Sequence, residues 1–399
     1  MDAAVKLRRV AVKYSPARLL GAFQRRTIDI RRAAKYWAYR LQPIRLVALF
    51  ESFQGKVIGD NPYYIYRELI SQNHSVPIFW TIREGVTTAP ERSTGVIHGT
   101  AQWAQALATS KYLVNNTNFP WYFRKRKSQV YLQTWHGTPL KKLMRDIQDS
   151  RPNIGYLRTM EREAASWDYL ISPSAFCSEI FPRIFKYSGV LLECGYPRND
   201  ELVTATAQRR QEIRESLGIT NPDKQVILYC PTWRDYQRLP DGRWASVTYI
   251  DDKISLPENS VLLFRGHTNT HDVHNSELAG KAIDVTKYPN VTELYIAADV
   301  LVTDYSSVMF DFAVTKKPII FLTVDFDTYE RERGFYFDFR NEAPGPIVFT
   351  QKDLEVALQN IDTDALSYRS KYQSWNLKFN DWEKGTSAKR VVDAVFGEI

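Results

Sequence analysis

Short apolar runs alternate with amphipathic stretches along the chain from about residue 45 onward. Short runs rich in Val, Ile and Leu predict buried strands, and segments with a helical period predict the helices between them. The first group of predicted strands covers residues 44–52, 76–82, 95–99, 111–116, 129–135, 168–174 and 189–197. This alternation indicates a parallel, doubly wound α/β sheet.

A second group of strands repeats the pattern beyond a junction near residues 195–222. It covers residues 224–233, 260–267, 281–289, 299–307 and 317–322, and helical segments close the chain. Two Rossmann-like domains facing an interdomain cleft are therefore expected. The predicted divisions are an arm at 1–45, a first domain at 46–200, a second domain at 201–365 and C-terminal helices at 366–399.

The arm at residues 1–45 differs from the rest of the chain in its charge. The chain carries a net charge of +8, but residues 1–45 hold twelve Lys or Arg and two acids, a net of +10, so the remaining residues sum to −2. Aliphatic and aromatic residues are interleaved with these cations, a composition that suits an anionic membrane surface. A helix packed on the body is the second interpretation. Nucleic-acid binding is the third and weakest, because the body is slightly acidic and has no nucleic-acid-reading motif.

Polar side chains follow several predicted strands at the point where each strand ends. In the first domain they are Glu51 and His136; in the second they are Thr232, Arg234, Arg265, His267, Asp304, Ser306 and Ser307. Ligands of doubly wound sheets bind beyond the carboxyl ends of the strands, so these groups should converge on one cleft.

The stretch LVTDYSSVMFDF at 301–312 is the most informative of these junctions. Asp304 ends a strand, and Ser306 or Ser307 can cap the helix that follows. Free N–H groups at such a helix start suit a phosphate, although a plain strand–cap–helix turn explains the pattern equally well. In QTWHGTPLKKL at 133–143, Thr138, Pro139 and the two lysines are expected to open a helix.

Several kinds of site are not indicated. The chain has neither of the standard glycine-rich nucleotide loops. Its three cysteines are widely spaced, which indicates a reducing compartment and neither a disulfide framework nor a zinc site. His267, His271 and His274 lie among turn-forming residues, unlike a helical zinc motif. No carboxylate pair argues for magnesium, so we predict no metal and no cofactor, without excluding a divalent cation from solution.

A family resemblance emerges from the motifs taken together. LFESFQGKVIGDNPYYIYREL, QTWHGTPLKKL, CGYPRND, PTWRD, FRGH and VTDYSSVMFDF resemble, in order, the CDP-glycerol glycerophosphotransferase family of teichoic acid and related polymer synthesis. The resemblance spans roughly residues 46 to 340. It implies a GT-B fold with a first, acceptor domain and a second, CDP-polyol-binding domain. It also implies a peripheral position on the cytoplasmic face of the membrane, which agrees with the basic arm.

The resemblance also implies residue roles. His136 matches the family's general base, which takes the proton of an acceptor hydroxyl. Gly137 would allow a tight turn, and Thr138 would assist at the phosphate. Substrate binding is assigned to Glu51, Thr232 and Arg234 in their motifs, to Arg265 at the donor diphosphate, to Ser306 and Ser307 at phosphate, and to Asp304, which would orient donors or the polyol. His267 is assigned to catalysis, although Thr268 stands where the family often has proline.

The implied reaction transfers polyol phosphate, glycerol phosphate being favoured, from a CDP-polyol to a hydroxyl of a polyprenyl-diphosphate-linked saccharide or a growing polyol-phosphate chain, with release of CMP. Three alternatives stay open. They are a GT-B glycosyltransferase that uses a nucleotide sugar, a CDP-ribitol-dependent enzyme, and a noncatalytic membrane-bound scaffold. His136, Arg265, His267 and the two serines in their motif contexts argue against the scaffold. The resemblance does not separate priming from polymerisation.

Overall fold

The protein forms two α/β halves, each built on a parallel sheet. In the computed structural model the described residues are 16–147, 154–232, 234, 248–266, 278 and 280–397, with side chains described from residue 26. The strands of the first half are β1 Arg45–Glu51, β2 Ile78–Ile82, β3 Thr94–Ile97, β4 Ser110–Asn115, β5 Val130–Gln133, β6 Tyr169–Ser172 and β7 Val190–Glu193. Those of the second half are β8 Gln225–Cys230, β9 Ser260–Phe264, β10 Ala282–Asp284, β11 Val300–Thr303, β12 Ile319–Leu322 and β13 Ile347–Val348.

The helices precede, connect and follow these strands. They are α1 Pro16–Tyr39, α2 Asp60–Ser71, α3 Ala101–Thr109, α4 Ile154–Ala164, α5 Ala175–Phe185, α6 Asp200–Thr204, α7 Ala207–Ser216, α8 Val291–Ala297, α9 Val308–Ala313, α10 Phe326–Arg333, α11 Phe339–Glu342, α12 Gln351–Gln359, α13 Ile361–Ser367, α14 Arg369–Phe379 and α15 Ser387–Phe396. Several start where the sequence supplies a cap. For example, the Thr100 hydroxyl accepts a hydrogen bond from the Trp103 amide, and the Ser174 hydroxyl accepts one from the Cys177 amide.

The order of the strands shows where a ligand would bind at the edge of each sheet. The first sheet runs β3-β2-β1-β4-β5-β6-β7 and the second runs β10-β9-β8-β11-β12-β13, with parallel pairing throughout the described strands. Both orders reverse once, between β1 and β4 and between β8 and β11. Ligands of such sheets bind at this switch point. The predicted doubly wound halves are thus confirmed. One short strand, β13, was not predicted.

The last helix returns to the first half. Val391, Val392 and Phe396 of α15 are buried in the same core as β1. The Phe396 ring stacks on Phe50, with 6.5 Å between the ring centroids. The start of α15 is held by Asp200, whose carboxylate accepts the amides of residues 387 and 388 at 2.9 and 2.7 Å. Two chain crossings, near residue 200 and near residue 386, therefore join the halves.

The basic arm contains a helix that packs on the body over part of its length. Tyr36 of α1 is fully buried and its hydroxyl donates to the Arg124 carbonyl at 2.9 Å. Trp37, beside it, is 47% exposed, and Trp121 of the neighbouring loop is 53% exposed. No described helix combines the length and apolarity needed to span a bilayer. The helix therefore has one face committed to the core and another that faces outward.

Candidate functional site

His136 leaves the first sheet through a sharp turn. Trp135 has a φ of +51°, a left-handed conformation that a tryptophan rarely adopts. The turn is fixed by Gln133, whose side-chain oxygen accepts the Trp135 amide at 2.9 Å. Strained backbone of this kind is concentrated at functional sites. It ends the strand at residue 133, two residues before the predicted end, and directs His136 to the cleft.

Hydrogen bonding sets the tautomer of His136. Its Nδ1 lies 2.7 Å from the carbonyl oxygen of Asn116. Because a carbonyl only accepts, Nδ1 carries the hydrogen, and Nε2 of the neutral ring keeps its lone pair. Burial lowers the pKa of His136, Arg198 lowers it further, and Asn116 and Asp60 oppose the shift. The ring is therefore a neutral base near pH 7.

Asn116 and Asp60 fix the support of this histidine. The Asn116 amide group donates to an Asp60 carboxylate oxygen at 2.8 Å, while its oxygen accepts the Phe53 amide at 2.9 Å. Asn116 follows β4 and Phe53 follows β1, so both lie at the switch point of the first sheet. The base is thus held by groups from three separate segments.

Asp304 organises the corresponding loop of the second half. Its carboxylate accepts hydrogen bonds from the Thr232 amide at 2.9 Å and the Tyr305 amide at 2.6 Å, and from Arg234 at 2.8 Å. Asp304 is buried and follows β11, next to the end of β8. Its contacts are with the protein's own hydrogen-bond donors, and its orienting role stays a prediction.

Ser306 and Ser307 lie at the start of α9 and are partly exposed. Ser307 occupies the N-cap position, but its side chain makes no capping hydrogen bond. The prediction that a serine side chain caps this helix is therefore wrong for Ser307. Within the described part of the chain, neither the Ser306 hydroxyl nor the Ser307 hydroxyl forms a hydrogen bond.

The histidine loop and the serine loop touch across the cleft. A Cβ placed on Gly137 would lie 2.9 Å from the Ser307 hydroxyl oxygen and 3.2 Å from its Cβ. Only glycine allows this approach, which brings the base of the first half beside the helix start of the second. Thr138 is turned away: it is buried and accepts a weak hydrogen bond from the Cys177 thiol at 3.8 Å.

Arg198 joins the two halves next to this contact. Its guanidinium donates to Asp60 at 2.5 Å, to the His136 carbonyl at 3.1 Å and to both oxygens of Asp311 at 2.9 and 3.1 Å. Asp311 lies on α9, one turn after Ser307. Burial lowers the pKa of Arg198, but Asp311 and Asp60 outweigh it and raise the pKa well above its usual value. Arg198 is therefore a permanent cation that connects the base to the serine loop.

The other predicted residues are distributed as follows. Arg234 is fully buried between Asp304 and Asp325. Arg265 donates to the carbonyls of Val285 and Tyr288 at 3.0 and 2.8 Å, which ties it to the turn after β10.

Thr232 and Glu51 each present an unpaired oxygen at a strand end. The Thr232 hydroxyl and one Glu51 carboxylate oxygen are buried and have no hydrogen-bond partner among the described residues. The second Glu51 oxygen accepts from Trp103 at 3.1 Å. Burial raises the pKa of Glu51 to about 7. His267 lies outside the described residues, as do His271 and His274.

Sequence reasoning missed four contributors, namely Asp60, Asn116, Arg198 and Asp311. Asp60, Arg198 and Asp311 stand in motifs that were quoted and Asn116 ends a predicted strand, yet none was weighed singly. The available signal was Arg198, which is followed by Asn199 and Asp200 at the junction of the two domains. A possible partner, Asp60, stands in the motif that begins with the first buried strand. The helix that the sequence predicted after His136 is also wrong. Residues 138–142 are not helical, and Lys141 forms a β-bridge with Phe335.

No cluster of three His, Cys, Asp or Glu side chains with metal-binding geometry occurs among the described residues. Apart from the buried carboxylates, of which Asp60, Asp304 and Asp311 are already paired with arginines, the described cleft residues are cations, hydroxyls and one imidazole. This donor set suits an anionic substrate, because its groups either carry positive charge or donate hydrogen bonds.

Comparison with known proteins gives relatives that match most of the chain. A teichoic acid poly(glycerol phosphate) polymerase of Bacillus subtilis (strain 168) is 37% identical over 90% of the chain, and the chain spans 50% of that relative's length. A teichoic acid glycerol-phosphate transferase of Staphylococcus aureus (strain NCTC 8325) is 35% identical, with 89% of the chain and 94% of the relative covered.

A solved structure supports the fold assignment. The wall teichoic acid polymerase TagF superposes with a TM-score of 0.84 and 33% identity, over 96% of this chain and 97% of that chain. A TagF variant soaked with CDPG superposes with a TM-score of 0.82. The fold is therefore GT-B-like, as predicted. Residues 37–397 match the family model described as CDP-Glycerol:Poly(glycerophosphate) glycerophosphotransferase, and the chain belongs to that family.

Proposed function

We propose that this protein transfers glycerol phosphate from CDP-glycerol to a hydroxyl of a polyprenyl-diphosphate-linked acceptor or a growing polyol-phosphate chain, and releases CMP. The observation that carries the proposal is the contact between Gly137 and Ser307, which sets a neutral histidine base beside two seryl hydroxyls and a helix start. Family membership supports the donor class.

In the proposed reaction, the acceptor hydroxyl oxygen attacks the phosphorus that bears glycerol. Nε2 of His136 takes the hydroxyl proton, a new P–O bond forms, and the bond from phosphorus to the CMP oxygen breaks. CMP leaves with the bonding electrons. Such transfers are accelerated mainly by alignment and by charge neutralisation on the phosphates. Ser306, Ser307 and Arg265 are the proposed phosphate contacts, and Glu51, Thr232 and Arg234 are proposed to shape the substrate sites. The catalytic role of His267 stays a proposal carried by the family resemblance, and a metal-independent reaction stays a proposal based on the lack of a carboxylate pair in the sequence motifs.

The donor and the product length are tested by one assay. Purified protein is given CDP-glycerol, CDP-ribitol, UDP-glucose or GDP-mannose, with an unprimed or a glycerol-phosphate-primed lipid acceptor, and nucleotide release is followed. We expect CMP from CDP-glycerol, in an amount that distinguishes one addition from many. CMP only from CDP-ribitol would make the enzyme a ribitolphosphotransferase, whereas UDP or GDP release alone would make it a glycosyltransferase. No release from any donor would favour the scaffold.

The role of His136 is tested in the same assay. The change His136→Ala should lower turnover by about 10²- to 10⁴-fold, since it removes the general base. Calorimetry supplies the folding control. A folded variant that keeps near-normal turnover would eliminate the base assignment.

We also propose that the outward face of α1 and the adjoining loop bind an anionic membrane surface. Trp37 and Trp121 are both exposed and flank the contact between Tyr36 and Tyr122, which are 5.6 Å apart at their ring centroids. Exposed cations of the same helix include Arg31 and Lys35. Aromatic rings and cations together suit a lipid interface.

Vesicle flotation tests this surface. The changes Trp37→Ala and Trp121→Ala, combined with Arg31→Gln and Lys35→Gln, should weaken binding to phosphatidylglycerol vesicles while the melting midpoint stays unchanged. Removal of the whole arm is a poorer test because it would uncover the core around Tyr36. Unchanged flotation of the fourfold variant would contradict the proposed membrane face.

A further inference from the structure

Lys141 of the first half reaches into the second half. The extended segment after His136 pairs with residues 334–336: Lys141 forms an antiparallel bridge with Phe335, and the Lys142 amide donates to the Gly334 carbonyl at 3.0 Å. The Tyr336 amide closes the pairing on the Leu140 carbonyl at 2.9 Å. Five residues after the proposed base, the first half therefore places a cation beside α10 of the other half.

Among the described residues, the ammonium of Lys141 forms no ion pair with a carboxylate. It is partly buried, with Nζ 5.8 Å from the ring centroid of Tyr329, and it forms no hydrogen bond with any described residue. Asp304 is the carboxylate that acts on it electrostatically, yet Asp304 already accepts hydrogen bonds from two backbone amides and from Arg234. Burial and the nearby Arg333 lower the pKa of Lys141 to about 8, and Arg234 adds to the effect.

A partly buried cation that forms no hydrogen bond with a described residue is unfavourable in the free protein. The cost falls when an anion of matching charge enters, because the anion restores the hydrogen bonds and the charge balance that burial removed. The serine loop, which continues directly from Asp304, is the proposed phosphate site. Lys141 is therefore linked to that site through Asp304, which acts on the ammonium electrostatically and directly precedes the serine loop.

We propose that Lys141 binds the diphosphate of the nucleotide donor, so that the half carrying the base also supplies a cation to the leaving group. The inference rests on the proposed donor class and goes beyond it. Because Lys141 lies in the segment that pairs with residues 334–336, donor binding would then link the first half to an anion held by the second and keep the halves together. It would also stabilise the negative charge that develops on CMP as the P–O bond breaks.

Lys142 provides a matched control. The two lysines are adjacent on an extended segment, so their side chains point to opposite sides. The Lys142 side chain lies along Gly334, whose added Cβ would be 3.0 Å from its Cδ. The changes Lys141→Gln and Lys142→Gln therefore remove equal charge at neighbouring positions, only one of which faces Asp304.

The test is calorimetric titration of the full chain with CDP and with cytidine at pH 7. We expect Lys141→Gln to raise the Kd for CDP about 10- to 100-fold and to leave the Kd for cytidine unchanged, because only CDP carries phosphates. Lys142→Gln should change neither value, and Lys141→Arg should restore most of the affinity for CDP. An unchanged Kd for CDP in Lys141→Gln, or equal losses in both glutamine variants, would overturn the assignment.

The pH dependence provides a second readout that survives a folding failure of Lys141→Gln. In the wild type, affinity for CDP should fall as the pH rises through 8, since Lys141 loses its proton while Arg333 and Arg234 keep theirs. In Lys141→Arg the affinity should persist at pH 9; a parallel decline in both proteins would contradict the inference. CDP binding that depends on Lys141 without CMP release from CDP-glycerol would preserve this site and remove the proposed function instead.

Discussion

Two buried arginines, each held by two aspartates, show how similar chemistry serves different ends in this molecule. Arg234 lies between Asp304 and Asp325, and Arg198 lies between Asp60 and Asp311. Both guanidinium groups are almost completely withdrawn from solvent. What differs is where the aspartates come from. Those of Arg234 both belong to the second half, whereas those of Arg198 belong to different halves.

Because of this difference, Arg234 belongs to the core of the second half, whereas Arg198 couples the two halves. Arg234 also lies over the rings of Tyr305 and Tyr329, at 5.0 and 4.9 Å from their centroids, so it stabilises the floor of the second half. Arg198 contacts the His136 carbonyl and the helix behind Ser307, so it fixes the position of the base relative to the serine loop. A buried ion pair is by itself weak evidence of a stabilising role, so the role of each arginine is inferred from the groups that it contacts.

The largest expected effect is on folding, at Arg234. The change Arg234→Met should leave Asp304 and Asp325 without their cation and lower the free energy of unfolding by about 3–5 kcal/mol. Differential scanning calorimetry of the whole chain measures the loss as a lower midpoint for the second half. The change Arg331→Met, on the exposed surface of α10, serves as the control. An unaltered midpoint for Arg234→Met would mean that the buried cation is dispensable.

The next effect is on turnover, at Arg198. The change Arg198→Lys keeps the charge but cannot reach Asp60, Asp311 and the His136 carbonyl together. We expect kcat for CMP release from CDP-glycerol to fall about 100-fold with little change in KM, since a misplacement near 1 Å costs about that much. Its melting midpoint should fall less than that of Arg234→Met. A loss of stability with kcat intact would reduce Arg198 to the same structural role as Arg234.

These two arginines also mark how far the sequence could be interpreted. Apolar periodicity predicted the strands of both sheets, because a buried parallel strand is an apolar run that can be recognised in the sequence without knowledge of its tertiary contacts. The short strand Ile347–Val348 was missed because two residues give no period. The helix expected at 138–142 was wrong because pairing with residues 334–336, almost two hundred positions away, overrides local helix preference.

The site was predicted in part for the same reason. Residues at strand ends, such as His136 and Asp304, follow from topology, and Arg234 came with its motif. Arg198 and Lys141 depend on which groups of the other half they meet, and no local pattern encodes that. Motif membership identified the loops, whereas the partners of each side chain required three-dimensional contacts.

A smaller effect distinguishes the aspartates of the two arginines. Asp60 raises the pKa of His136 and anchors Asn116, so Asp60→Asn should lower that pKa further and loosen the base. We expect kcat to fall about tenfold and the acid limb of the pH–activity profile to move to lower pH, because the protonated imidazole loses a stabilising charge. The change Asp325→Asn, at the Arg234 site, should leave the position of that limb unchanged. A limb that shifts equally in both variants would show that Asp60 does not act on the base.

The smallest effect concerns a buried carboxyl that forms no ion pair with an arginine among the described residues. Glu51 is fully buried, one of its oxygens has no partner among the described residues, and burial raises its pKa from 4.5 to about 7. The folded state therefore holds a proton that the unfolded state has released between these two values, so stability decreases as the pH rises from 4.5 to 7. Since glutamine is neutral throughout, Glu51→Gln should be close in stability to the wild type near pH 5 and clearly more stable than the wild type at pH 8. Thermal unfolding at the two pH values, with the exposed Glu179→Gln as control, measures the difference. A gain that appears at pH 5 as well would show that the carboxyl is destabilising even when protonated, so that a missing hydrogen bond, rather than charge, separates Glu51 from the aspartates that have an arginine.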